Sequence, residues 1–222
     1  MINHKPVSIA DQIFEQLEKD ILSGKYSKGE IISETRLSEE LGVSRTPIRE
    51  ALHRLEQEHL VEDGSRGLEI VGISKEDVLD LIEIRVRLEG LSAYRAAENI
   101  SDDMLKEMEE TLEMQRFYIE RHTDTDDRSD RIKDADSDFH RLLHKACGSV
   151  ILYDVLEPVQ MKITKFRKAS LSRKSRALES LNEHIAIYAA LKEHDAKKAE
   201  ELTVLHARNA MNNILEFNGE EG

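Results

Sequence analysis

SETRLSEELGVSRTPIREALHRLE, residues 33–56, decides how the N-terminal third of this chain is read. The spacing predicts a short helix from Thr35 to Leu41, capped by Ser33 or Glu34 and stopped at Gly42, a residue that tolerates the left-handed conformation of a helix end. Ser44 can cap a second helix, and Pro47 falls in its first turn, where a missing N–H costs nothing. Along that second helix Ile48, Leu52 and Leu55 recur at spacings of four and three, so one stripe is apolar and packs inward. Arg45 and Arg49, four apart, share a different face.

Two outward arginines at the start of a helix, beside Ser44 and Thr46, suit phosphate contacts and bidentate reading of guanine in the major groove. A solvated helix face is the alternative for an arginine pair taken alone. The segment that follows weighs against it. Leu60 to Glu62, Asp63-Gly64-Ser65-Arg66-Gly67 and Leu68 to Val71 form a β-hairpin pattern with a glycine-containing tip. A helix-turn-helix followed by such a hairpin is a winged helix, and Arg66 at its tip is placed to enter the minor groove. Upstream, Ile13, Leu17 and Ile21 repeat every four residues and give an amphipathic helix, ending at Gly24, that braces the reading helix.

GVSRTPIREALHRLEQEHLV with its wing is very similar to the DNA-binding domain of GntR-type bacterial transcriptional regulators. The resemblance implies operator contacts from Arg45, Thr46 and Arg49, from a residue early in the preceding helix and from the glycine-containing wing tip, here Gly67. Many members carry arginine at the position of Thr35, and Arg36 stands next to it in this chain.

Composition fits a two-domain protein of 222 residues with 39% hydrophobic content. No apolar run approaches the ~20 residues of a membrane span, and Met1 to Pro6 lacks the hydrophobic stretch of a signal peptide. Cys147 is the only cysteine, so an intramolecular disulfide is impossible and a reducing cytoplasm is expected. Cys147 itself reads as a small core residue rather than a redox group. The net charge of −13 runs against the basic footprint usual for nucleic-acid binding. Its distribution weakens that objection: residues 1–70 carry 9 Lys+Arg against 14 Asp+Glu, net −5, whereas residues 44–55 hold three arginines and one glutamate. Acidic flanks repel non-specific DNA and leave binding more dependent on base contacts and dimerisation.

Gly72 and Ser74 mark the end of the winged helix, giving expected domains of 1–72 and 73–222. The second is expected to be an all-helical, six-helix antiparallel bundle with helices near 75–97, 101–121, 130–147, 150–171, 175–193 and 196–216, so the chain as a whole is mainly α. Residues 122–130 read as a mobile connection. The 75–97 helix is apolar on two sides, Val78, Leu81 and Leu88 on one and Leu79, Ile82, Val86 and Ala93 on the other. One side suits the bundle core and the other the matching helix of a second subunit.

Asp136 and His140 lie four apart on one helix whose apolar face is marked by Ile132, Ala135, Phe139, Leu143 and Ala146. At 100° per residue Asp136 lies beside the centre of that face, His140 along its edge and His144 further out. His184 borders the stripe of Ala177, Leu181, Ile185 and Tyr188, and His206 lies within that of Ala199, Leu202, Ala210 and Phe217. Any one of these histidines is explained by a hydrogen-bonded core or surface position. Three histidines and one aspartate directed into one bundle are more simply explained by one divalent ion, Zn²⁺, Ni²⁺ or Mn²⁺, in a site that keeps positions open for water or ligand.

This helical half resembles the effector domain of the FadR subgroup of GntR-type regulators, and six helices suit its VanR-like branch. The resemblance implies a divalent metal held by Asp136, His140, His184 and His206, a carboxylate effector that ligates it, and Arg85 helping to hold that acid. An internal ion pair with Glu89 is the competing explanation of Arg85. Together these features lead to a homodimeric regulator, more usually a repressor in this family, that binds double-stranded operator DNA and answers to a small organic acid. A metal-dependent enzyme or a metal sensor would use the same histidines, but the sequence holds no HExxH helix and no Gly-x-Ser-x-Gly elbow, and an enzyme leaves residues 33–71 unexplained.

Overall fold

The computed structural model describes residues 8–22, 24–64, 67–120, 126–163, 171 and 173–219. The chain divides into two compact units, Met1–Ser74 and Lys75–Gly222. In the first, α1 (Ile9–Leu22), α2 (Glu34–Leu41) and α3 (Arg45–Gln57) pack with a three-stranded antiparallel sheet of β1 (Ile31–Ile32), β2 (Val61–Gly64) and β3 (Gly67–Ile70). Ile48, Ala51, Leu52 and Leu55 of α3 are at most 1% exposed and meet Ile13, Leu17 and Ile21 of α1. Burying each of the larger aliphatic side chains contributes ~1.5–3 kcal/mol, an upper estimate, and this contact fixes which face of α3 is left to solvent. Arg54 adds a polar clamp, donating to Asp11 at 2.6 Å while its guanidinium lies 4.0 Å from the centroid of Phe14.

Ser33 supplies the N-cap of α2, accepting from the Arg36 N–H, and Gly42 ends that helix at φ 65°. The wing follows the expected hairpin, with Val61 opposite Ile70 and Gly64 opposite Gly67. Its tip residues Ser65 and Arg66 lie outside the described residues, so the expectation for Arg66 does too. Strand β1 is an addition. Ile31 and Ile32 pair with Glu69 and Leu68, but two residues are too few to show an alternating pattern in sequence.

The second unit contains six helices among the described residues: α4 (Lys75–Asn99), α5 (Asp102–Glu120), α6 (Asp126–Ala146), α7 (Val150–Lys162), α8 (Lys174–Lys192) and α9 (Ala196–Gly219). Helix α4 lies along α9, and α5 packs on α6 and α8. Gly90 permits the α4–α9 approach: a Cβ there would stand 2.6 Å from Val204 Cγ2. The core is built from Ala93, Met108, Phe139, Leu143, Leu181 and Leu191 with their neighbours, and Cys147 is buried within it.

Two boundaries differ from the sequence expectation. Residues 126–130, expected in a connection, are the first turns of α6, while 121–125 lie outside the described residues. Polar composition does not bar helix formation, and acidic residues suit a helix N-terminal turn. Helix α7 ends at Lys162 instead of running to 171, and 164–170 lie outside the described residues. Among the described residues no helix is long and apolar enough to cross a membrane.

Candidate functional site

The reading face of α3 is assembled by the packing beneath it. With Ile48, Leu52 and Leu55 turned inward, Ser44, Arg45, Thr46 and Arg49 are all exposed, as are Thr35 and Arg36 of α2. Ser44 occupies the N-cap of α3 with extended backbone, yet its hydroxyl makes no capping bond, contrary to the capping role expected from sequence. Arg36 donates to Glu40 at 2.7 Å. Arg49 is held by Glu34, its Nε donating to Oε1 at 3.0 Å and its Nη2 to Oε2 at 2.8 Å. Glu34, taken in sequence only as a possible cap, is thus a member of the reading face.

In the helical unit α6, α8 and α9 each contribute one imidazole to a single buried point. Ligand nitrogens of His140, His184 and His206 lie within 4.8 Å of one another, and all three side chains are at most 3% exposed. The Nε2 atoms of His140 and His206 are 3.2 Å apart. Asp136 stands beside one of them, its Oδ1 3.7 Å from His184 Nε2, while the mutually close set is the three imidazoles. Phe139 stacks on His184 with ring centroids 4.1 Å apart and holds its plane.

Hydrogen bonds behind these rings decide which nitrogen faces the centre. The Asp136 carboxylate accepts from Ser180 Oγ at 2.9 Å and from Gln115 Nε2 at 3.4 Å. Because an ionised carboxylate can only accept, Gln115 must present its amide nitrogen there and its oxygen to His184 Nδ1, 3.1 Å away. That oxygen in turn requires His184 to be protonated at Nδ1, so in the neutral ring it is Nε2 that carries the lone pair. Glu183 does the same for His206, accepting from Nδ1 at 2.6 Å. Burial lowers the pKa of His206 and lowers that of His140 well below the usual imidazole range, which favours the neutral form of both. A bare His206 Nε2 beside His140 Nε2 then leaves His140 with two poor choices. It can face lone pair to lone pair, or protonate Nε2 and turn its Nδ1 lone pair toward the Glu89 carboxylate, 3.7 Å away.

A divalent ion removes that conflict. Two ligands each ~2.0–2.1 Å from zinc, at angles between octahedral and tetrahedral, stand about 2.9–3.4 Å apart, which brackets the His140–His206 spacing. The donor set, neutral imidazoles with a carboxylate alongside and carboxylate or amide partners behind, therefore fits such an ion. When bound it would supply Lewis acidity and open coordination positions.

Next to this group, the buried Glu89 of α4 receives Arg85 in a paired contact, Nε at 2.8 Å and Nη2 at 3.1 Å. The ion pair weighed against an effector role for Arg85 is present, but it uses only part of the guanidinium. Arg85 Nη1 is buried without a hydrogen-bond partner. His144 is wholly buried rather than lying far out on the helix face, because α7 covers that side: its Nδ1 is 3.0 Å from Glu157 and its Nε2 3.5 Å from Glu89. Burial disfavours its charge, but the two carboxylates outweigh burial and raise its pKa. Ligand atoms of Glu89, His140 and His144 also lie within 4.8 Å of one another. With Arg85 Nε already 2.8 Å from the same Glu89 oxygen, a second cation would meet like charge, so this group is an ion-pair network flanking the three-imidazole centre.

Glu183 shows how firmly the outer partners are set. Burial alone would raise its pKa, but hydrogen bonds from His206 and Arg176 outweigh it and bring the value down to about 2. A depressed carboxylate stabilises the fold above its ordinary pKa, and that stabilisation is lost as pH falls through the folded value. The stability advantage of the parent over Glu183→Gln is therefore expected to be full above pH 4.5 and to shrink between pH 4.5 and about 2. Urea denaturation across that range measures it, and an advantage independent of pH would show that Glu183 is not held ionised by these bonds.

Residues 9–67 match the family model described as bacterial regulatory proteins, gntR family, and residues 80–209 match the FCD domain. The chain belongs to the GntR family of transcriptional regulators. The FCD match spans most of the helical bundle and includes every residue of the imidazole cluster, and regulators of this family are DNA-binding proteins, not enzymes. The regulator is 32% identical over 91% of its length to the HTH-type transcriptional regulator YdhC of Bacillus subtilis, covering 89% of that protein. It is 27% identical over 96% of its length to the HTH-type transcriptional repressor RspR of Escherichia coli, covering 91% of it. Among solved structures it superposes on Escherichia coli McbR/YncC with a TM-score of 0.78 at 21% identity, covering 95% of this chain and 99% of the other, a likeness of fold.

Several members of the centre escaped the sequence reading. Gln115, Ser180 and Glu183 carry no motif, and only their partners identify them. Glu183 had one available signal, its place beside His184 on a helix with Arg176 two turns upstream.

Proposed function

We propose that this regulator is a homodimeric operator-binding protein, most simply a repressor, whose FCD domain holds one divalent metal and is switched by a small carboxylate that ligates it. Zn²⁺, Ni²⁺ and Mn²⁺ suit the donors, and the arrangement suits the FadR subgroup and its VanR-like branch. The observation that carries the reading is the convergence of inward nitrogens from His140, His184 and His206, with Asp136 alongside. Arg85 lies one carboxylate away: Glu89 Oε1 is 2.8 Å from Arg85 Nε and 3.7 Å from His140 Nδ1. A carboxylate with one oxygen toward the metal would have the unpartnered Arg85 Nη1 as its second anchor.

Arg45, Arg49, Thr46 and Ser44, with Thr35, Arg36 and the wing residues Arg66 and Gly67, form the operator surface in this reading. Dimerisation is supported by apolar surface left open on the bundle, Leu79, Ile84 and Leu91 on α4 and Val150 and Ile151 on α7, the last two 73% and 77% exposed. Two-fold protein symmetry then calls for a palindromic operator. The acid acts by differential affinity for the dimer's DNA-competent and incompetent arrangements.

The test selects a duplex from a random-sequence library with the purified protein, then titrates it with mono-, di- and polyhydroxy-carboxylates before and after chelation. One class is expected to change duplex affinity by tenfold or more in the metal-loaded protein only, without being consumed, while the chelated protein still binds the duplex. An equal response after chelation, or turnover of the acid, would overturn the reading.

A further inference from the structure

Glu34 places a negative charge beside the exposed arginines Arg36, Arg45 and Arg49 of α2 and α3, and in a DNA-binding protein that needs a reason. Fold stability does not supply it. The Glu34–Arg49 pair is solvent-exposed on the arginine side, 69% for Arg49 against 31% for Glu34, and exposed pairs contribute little. The apolar contacts of Leu37, Ile48 and Leu52 already set α2 against α3. Against DNA the carboxylate costs affinity, because it repels the phosphates that supply most non-specific binding.

The geometry of the pair offers the reason. A guanidinium carries five N–H donors in a rigid fork, with two edges able to make paired parallel bonds: Nε with one terminal nitrogen, and the two terminal nitrogens together. Glu34 occupies the first, taking Nε at 3.0 Å and Nη2 at 2.8 Å. Nη1 and the remaining hydrogen of Nη2 are left as the free edge, which is the donor pair that matches guanine O6 and N7. A long, exposed side chain is thereby limited to one orientation. Arg45, the other exposed arginine of the α3 N-terminus, acts on Glu34 only through its charge, with no paired hydrogen bonds to it among the described residues.

We infer that Glu34 is a positioning residue for operator specificity: it holds the side edge of Arg49 so that only the end edge is offered to a base, and it disfavours adventitious phosphate contacts by the same arginine. This rests on Arg49 reading the operator, as proposed above. The prediction is asymmetric. Removing Glu34 should improve binding to the wrong DNA while impairing discrimination, the opposite of what loss of a structural contact would do.

The experiment uses the full-length metal-loaded protein, a duplex enriched by it from a random-sequence library, and a scrambled duplex of the same length and composition. Glu34→Ala is expected to bind the scrambled duplex about three- to tenfold more tightly and to lose about tenfold or more of the ratio between the two duplexes. The salt slope for scrambled DNA should steepen by about one unit per subunit as the freed arginine finds a phosphate. Glu34→Gln, which keeps a single acceptor at nearly the same size, should fall between Ala and parent. Placed in an Arg49→Ala background, Glu34→Ala should leave the ratio where Arg49→Ala put it, since the two act as one unit. Matching thermal unfolding curves exclude a folding effect. A Glu34→Ala ratio within twofold of the parent overturns the inference, as does an equal loss in the Arg49→Ala background. If instead Arg49→Ala leaves the ratio untouched, the operator role of Arg49 has failed and this inference goes with it.

Discussion

Replacing His184 and His206 together with alanine is expected to strip the protein of its divalent metal, from near one ion per chain to background by elemental analysis. These residues supply two of the three imidazoles, from different helices, and His140 with Asp136 on α6 alone offers too few donors to hold an ion against water. A metal held at 100–1,000 times its dissociation constant adds ~2.7–4.1 kcal/mol to folding stability. In a chain of this length that corresponds to roughly 5–15 °C in Tm. The informative comparison is between loaded and chelated forms. Chelation should lower the Tm of the parent by that margin and leave the double variant unmoved, which separates metal loss from the packing cost of deleting two buried rings. Full metal occupancy in the variant would relocate the site to other ligands, the Glu89–His140–His144 group first.

Arg49→Ala is expected to remove most sequence discrimination while leaving metal content and fold intact. A bidentate arginine–guanine contact is worth ~1–3 kcal/mol against the wrong base, and a two-fold dimer makes it twice, so the ratio of selected to scrambled binding should fall by about 30- to 20,000-fold. Exposure of Arg49 and burial of its neighbours Ile48 and Leu52 explain why the fold should not notice. Competition binding at fixed salt reads the effect. A ratio within twofold of the parent would take Arg49 off the list of base contacts.

The winged helix was legible because its signals are local. Gly42 stops a helix, Pro47 sits in a first turn, and the spacing of Ile48, Leu52 and Leu55 names the buried face without reference to anything distant in the chain. The four proposed metal ligands were visible in the same way, as polar residues on apolar helical faces; the bundle brings the three imidazoles together and sets Asp136 beside His184. Helical periodicity was less informative at element ends. Asp126 to Asp130 look like connection in composition, and the end of α7 carries no glycine stop. His144 failed differently: its angle on α6 was read correctly from the sequence, but whether that angle faces water depends on α7 lying over it.

By itself, then, the sequence determined the helices and the wing hairpin, the main apolar face of each and the kinds of atom delivered to the interior, because helix caps and 3.6-residue periodicity act over a few residues. Tertiary structure alone decided the pairings across the chain: Glu34 on Arg49, Gln115 on His184, Glu183 on His206 and Glu89 between Arg85 and His140. Protonation state, tautomer and the direction of a free edge follow from those contacts. They are set by distances of a few ångströms between residues up to 69 positions apart, a quantity no local pattern encodes.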